Sequence, residues 1–264
     1  MAFARINGIV LHHHLSGKAD GPPLVFSNSL GTDLRIWDKV ADRLGHHFRI
    51  VRYDKRGHGL SEAPPPPYPL ADHVADLAGL LDRLGIERAA VVGLSVGGMI
   101  AQGLAALHPE RVAALVLSNT AHKIGTRENW DDRIDTVTRK GLGAVAESVM
   151  PRWFTPAFRK PDNPDYAGHL AMFLRSPVDG YVGTCASVRD ADLTESTRAL
   201  KVPTLCIAGD QDGSTPPDLV RSMAQLITNA EFRIIPDAAH IPCVEQPDAM
   251  AGLIGGFLRA AHYG

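Results

Sequence analysis

The chain has 264 residues, 27 Lys and Arg against 29 Asp and Glu, and 45% hydrophobic residues. That length suits one large α/β domain or two small ones, burying about 75% of the surface the unfolded chain exposes. The formal net charge of −2 provides no basic footprint for nucleic acid, and no apolar run reaches the ~18 residues of a membrane span, so neither partner is expected.

The first residues, 1–8, lack a basic region followed by an apolar one, so no secretory signal is expected. Residues 8–15 read as a strand carrying His12, His13 and His14. Successive strand side chains alternate faces, so His12 and His14 could share one, but no third ligand stands at metal spacing. A partly exposed strand is expected there, and no metal. Further strands are predicted at 23–27 and 48–53, followed by Pro64–Pro67, a stiff extended loop. The three- and four-residue apolar steps through Leu70, Val74, Leu77, Leu80, Leu81 and Leu84 predict a helix over 68–84, stopped at Gly85. Strands follow at 89–92 and 112–117, separated by a helix-like segment at 99–107.

The rhythm breaks over 121–200, which contains helical and loop-like sequence and no convincing strand, then resumes with strands at 204–208 and 231–235. Near-continuous apolar strands imply burial on both faces, and their alternation with helices predicts a doubly wound, mostly parallel α/β sheet. Residues 1–120 and 201–264 should form its core, with 121–200 as an inserted helical cap. Cys185, Cys206 and Cys243 are odd in number and far apart. They form no disulfide framework and suit a reducing compartment, the cytoplasm.

Gly93-Leu94-Ser95-Val96-Gly97 follows the strand at 89–92 and precedes a helix. Gly-x-Ser-x-Gly in that setting is a nucleophile elbow, a tight turn in which neighbouring Cβ atoms would clash. Ser95 stands where a dinucleotide fingerprint needs its second glycine, and no Lys-Ser or Lys-Thr follows, so neither phosphate-binding loop applies. A serine nucleophile needs a base, and the base a carboxylate to orient it. Asp210 and Asp212 follow the strand at 204–208, and His240 follows the strand at 231–235. Either aspartate could instead cap the helix that begins near Pro217. No cofactor is implied.

From end to end the chain resembles the serine α/β-hydrolases, and in particular the 3-oxoadipate enol-lactonases. The stretches that carry the likeness are Ser27–Trp37, Tyr53–Ser61, Gly93–Ile100, Leu117–Ala121, Arg152–Pro156 and Val202–Asp212. Asn28-Ser29-Leu30-Gly31 is the telling one, because most hydrolases of the fold carry His-Gly there. The resemblance implies the α/β-hydrolase fold and a Ser95–His240–Asp212 triad, since the family pattern Gly-x-x-Asp selects Asp212 over Asp210. It also implies an oxyanion hole made by the backbone N–H groups of Leu30 and Val96. Ser29 could add a side-chain hydrogen bond or simply stabilise the turn.

A small-molecule lactone is the implied substrate. Its acetate carboxylate needs a cation, and Arg127, Arg133, Arg139, Arg152, Arg159, Arg175 and Arg189 all lie in the cap. Arg133 is favoured because Trp130 stands three residues earlier on one helix face. Trp153 could line the apolar wall or belong to the core. Two other readings stay open. One is a different serine hydrolase of the fold (carboxylesterase, perhydrolase or carbon–carbon bond hydrolase), and the other is a non-catalytic ligand-binding protein.

Overall fold

In a computed structural model, which describes residues 1–263, eight strands form one sheet. They are β1 (Ala2–Ile6), β2 (Ile9–Gly17), β3 (Pro23–Ser27), β4 (Arg49–Tyr53), β5 (Ala89–Leu94), β6 (Val112–Ser118), β7 (Thr204–Gly209) and β8 (Glu231–Ile235). Their spatial order is β1-β2-β4-β3-β5-β6-β7-β8. The two ladders that β2 makes, with β1 and with β4, are antiparallel, and every other ladder is parallel. β5 and β7 are buried at every residue, as strands with helices on both faces must be. The strand around His12 is partly exposed, as expected: Leu15 is exposed and Val10 and His14 are half-buried. His12 and His13 themselves are buried, with the His12 ring tilted against Phe3 at a centroid distance of 5.1 Å. His12 Nδ1 lies 2.7 Å from Asp54 Oδ2, and His14 Nδ1 lies 2.7 Å from Arg52.

The helices framing the sheet are α1 (Asp38–Leu44), α2 (Leu70–Arg83), α3 (Val96–Leu107), α9 (Pro217–Leu226), α10 (Pro242–Glu245) and α11 (Pro247–Ala260). Leu77, Leu80 and Leu81 of α2 are fully buried, and α3 is buried through Ala105 at every position, the mark of a helix against the middle of a sheet. Five helices lie between β6 and β7: α4 (Arg127–Lys140), α5 (Gly143–Trp153), α6 (Pro164–Leu174), α7 (Val178–Asp190) and α8 (Thr194–Arg198). Thr126 caps α4 by accepting from the Asn129 N–H, and Phe173 of α6 packs edge-on against Trp153 of α5 and Tyr181 of α7.

Register decides where chemistry can happen. Ser27 pairs with both Tyr53 and Gly93, Leu94 with Ser118, Ser118 with Ile207 and Gly209 with Ile235. The loops that follow β3 to β8 therefore leave the sheet at one edge, the carboxyl edge where open α/β sheets bind ligands.

Candidate active site

Ser95 sits between β5 and α3 with φ 58° and ψ −121°, a left-handed backbone that costs about 1–3 kcal/mol for a residue with a Cβ. Its own N–H donates to Ser118 O (3.0 Å), and its carbonyl accepts from Thr120 Oγ1 (2.6 Å). The flanking glycines are compelled by space. A Cβ on Gly93 would lie 2.3 Å from Gly97 O, and one on Gly97 would lie 2.2 Å from Ser27 O. The turn can thus press against the end of β3 only if both positions lack side chains.

His240 and Asp212 arrive from the loops after β8 and β7. His240 Nδ1 lies 2.9 Å from Asp212 Oδ2, and both side chains are almost fully buried. That contact leaves Nε2 as the ring's free nitrogen. The Asp212 carboxylate also accepts from Asn119 Nδ2 (2.8 Å), Thr215 Oγ1 (2.7 Å), Ser214 N (2.7 Å) and Thr215 N (3.1 Å). Burial alone would raise its pKa, but the charge of His240 and these donors outweigh that and hold it below the ordinary carboxylate value. Asp210 is engaged elsewhere, accepting from the Ala238 N–H (3.2 Å). Neither aspartate caps α9, whose N-cap is Pro216 with no side-chain cap; Asp212 instead closes the turn through Thr215.

One cleft of about 120 Å³, partly open to solvent, is lined by Ser29, Leu30, Ser95, Val96 and His240. Among the described residues the N–H groups of Leu30 and Val96 donate to no protein acceptor. Val96 N–H opens α3, where the helix dipole favours a negative charge. The Ser29 hydroxyl makes no hydrogen bond among the described residues; it is the Ser29 carbonyl that ties the turn, accepting from Thr32 Oγ1 at 2.9 Å.

The far wall comes from the helices after β6: Trp130, Arg133, Arg152, Trp153 and Tyr181. Arg133 stacks over the Trp130 ring, 5.3 Å from its centroid, while Trp130 Nε1 donates to Ile124 O (2.7 Å). Trp153 is both core and wall, buried against Phe173 yet lining the cleft. Of the seven arginines considered, Arg127, Arg139 and Arg189 are paired with aspartates, Arg159 donates to Phe154 O, and Arg175 faces another hollow. Only Arg133 and Arg152 line this cleft, and among the described residues neither has a carboxylate partner.

The sequence reading did not single out Asn119 or Thr215. Asn119 is fully buried, with φ 48°, and its amide bridges Asp212 and Ala239 O (3.2 Å). A positive φ is several-fold commoner for Asn than for most residues, and the strand-end Ser118-Asn119 dipeptide is the signal that could have marked it.

Residues 22–247 match the family described as the alpha/beta hydrolase fold. The chain belongs to the α/β-hydrolase family. It is 36% identical over 242 residues to 3-oxoadipate enol-lactonase 2 of Acinetobacter baylyi, covering 91% of this chain and 90% of that one. To 3-oxoadipate enol-lactonase 1 of the same organism it is 32% identical, over 96% and 94% of the two chains. The crystal structure of the enol-lactonase from Burkholderia xenovorans superposes with a TM-score of 0.95 at 38% identity, over 98% of this chain and all of that one. The fold expected from the sequence is the fold observed, and the likeness to enol-lactonases extends through the helices between β6 and β7.

Proposed function

We propose that this α/β-hydrolase opens and hydrolyses 3-oxoadipate enol-lactone by acyl transfer to Ser95. Ser95 Oγ attacks the lactone carbonyl while His240 Nε2 takes its proton, and Asp212 orients the imidazole and stabilises its charged form. The oxyanion that forms is held by the N–H groups of Leu30 and Val96. Collapse breaks the ring C–O bond and expels an enolate, a better leaving group than an alkoxide. His240 returns its proton to give the enol, which ketonises. Water, deprotonated by the same histidine, then attacks the acyl carbonyl and frees Ser95, releasing 3-oxoadipate.

The observation that carries the substrate assignment is Arg133, which has no carboxylate partner among the described residues and lies over the Trp130 ring, 5.3 Å from its centroid, in the same cleft as Ser95 and His240. A planar guanidinium on an apolar ring suits a carboxylate on a small apolar acid, which it can bind through two parallel hydrogen bonds. The similarity to enol-lactonases over more than nine-tenths of the chain supports the same substrate.

Loss of the enol-lactone's ultraviolet absorbance on adding purified protein, absent with Ser95→Ala, is the expected result. Hydrolysis of p-nitrophenyl esters without any loss of the lactone would keep the acyl transfer and discard the substrate. Inactivity towards both, with no labelling by a fluorophosphonate, would overturn the catalytic reading altogether.

A further inference from the structure

The loop after β4, Asp54-Lys55-Arg56-Gly57-His58-Gly59, buries a lysine. Lys55 is 1% exposed, and its Nζ donates to Ser29 O at 2.6 Å. The same carbonyl accepts from Thr32 Oγ1 at 2.9 Å and from Thr32 N at 3.4 Å. Ser29 C=O and Leu30 N–H are the two ends of one peptide unit. A trans peptide is planar, so fixing the direction of its oxygen fixes the opposite direction of its N–H. Hydrogen bonds to the oxygen also polarise the unit and make its N–H a stronger donor.

The next peptide is held from the same loop. Gly31 N–H donates to His58 Nε2 at 2.9 Å, with Gly31 at φ 70° and no room for a Cβ, which would lie 2.9 Å from Phe173. Arg56, by contrast, is tied to Asp72 and Asp76 on α2, and Asp54 to His12 and the Leu34 and Leu60 N–H groups. Lys55 is therefore the side chain of this loop that reaches the Ser29–Leu30 peptide.

We infer that Lys55 is a positioning residue for the oxyanion hole, orienting and polarising the Leu30 N–H through the Ser29 carbonyl. This rests on the acyl-transfer reading above. Burial pushes the Lys55 amine well below the ordinary lysine value, against the pull of Asp54 and Asp33, and the amine keeps an N–H for Ser29 O in either protonation state. A buried amine with a backbone carbonyl as its sole hydrogen-bond acceptor is costly to place, and hydrophobic packing would be served as well by methionine.

The test compares wild type, Lys55→Met, Lys55→Gln and Thr32→Val on p-nitrophenyl acetate, with active sites titrated by fluorophosphonate and affinity measured for a trifluoromethyl ketone, which forms an oxyanion on Ser95. Losing a whole oxyanion donor costs roughly 10²–10³ in kcat, so losing its orientation in Lys55→Met should cost roughly tenfold to a hundredfold per titrated site. KM should stay within about threefold, because the ground-state ester barely uses the N–H, while the ketone's affinity should fall in step with kcat/KM. Lys55→Gln keeps an N–H donor and should recover part of the loss. Thr32→Val removes the second donor and should move kcat and ketone affinity the same way by a smaller factor, which serves also if Lys55→Met fails to fold.

A merely structural role would lower the titrated fraction and leave kcat per site unchanged. Unchanged kcat per site in Lys55→Met, or in Thr32→Val should Lys55→Met not fold, overturns the inference while the acyl-transfer reading stands. A wild type that neither hydrolyses the ester nor reacts with fluorophosphonate overturns both.

Discussion

Gly97→Ala adds one methyl group at the point where α3 meets the end of β3. The new Cβ would lie 2.2 Å from Ser27 O, 2.6 Å from the Ser27 carbonyl carbon and 2.9 Å from Asn28 O. All three are backbone atoms, so no side chain can swing aside, and ordinary contact requires the helix start or the Asn28–Gly31 turn to move by about 1 Å. Overpacking of this kind costs about 1–3 kcal/mol, which lowers Tm by roughly 2–6 °C for a chain of this size. The catalytic effect should be larger. The displaced segment carries Val96 N–H on one side and Leu30 N–H on the other, and a misplacement of about 1 Å can cost roughly a hundredfold in rate.

The control is the same substitution at Gly252, exposed on α11, where a Cβ meets nothing within 4 Å. There alanine should stabilise by about 0.5–1 kcal/mol through helix propensity and leave turnover unchanged. Thermal unfolding by circular dichroism and p-nitrophenyl ester hydrolysis per titrated site read both effects. Gly97→Ala with wild-type Tm and turnover would refute the close-approach reasoning, as would a destabilised Gly252→Ala.

Asp212 has a folded-state pKa held below its unfolded value, so its contribution to stability is present above the ordinary carboxylate range and lost as pH falls through the folded value. Urea titrations of wild type and Asp212→Asn should therefore differ most near neutrality and converge in acid; a gap that widens on acidification would contradict the assignment. Asn119→Ala leaves Asp212 one donor short and opens a buried hole, which should cost about 1–3 kcal/mol in stability and lower kcat with little change in KM, as urea midpoints and ester kinetics will show. Arg133→Met should raise KM for the anionic enol-lactone roughly tenfold or more, while p-nitrophenyl acetate, which has no carboxylate, is hydrolysed as before. Equal losses on both substrates would remove Arg133 from carboxylate recognition.

The legible parts of this protein share a short range. The elbow at Gly93–Gly97 could be read because its cause is local: a turn that admits no Cβ on either flank leaves a mark within five residues. β5 and β7 were readable because a strand buried on both faces must be apolar throughout, and α2 because its apolar face recurs at helical spacing. β1 left no such mark. Its residues are exposed at three of five positions, and it exists by pairing with β2.

What the tertiary structure alone decided lies in contacts between distant parts of the chain. Asp210 and Asp212 differ by two positions in one loop, and residue type and spacing left both in play until the resemblance chose between them. In space one accepts from Ala238 N–H and the other faces His240. Of the seven cap arginines the sequence favoured Arg133 for its spacing from Trp130, but folding is what paired others with aspartates, turned some away and left Arg152 beside the cleft as well. Lysine is seldom fully buried, and nothing near Lys55 in the chain marks it, yet it is buried against the Ser29–Leu30 peptide. Local sequence carries the cost of bending a chain and the period of its buried face. Which polar groups then meet depends on register and loop path, and those are set by the packing of the whole sheet.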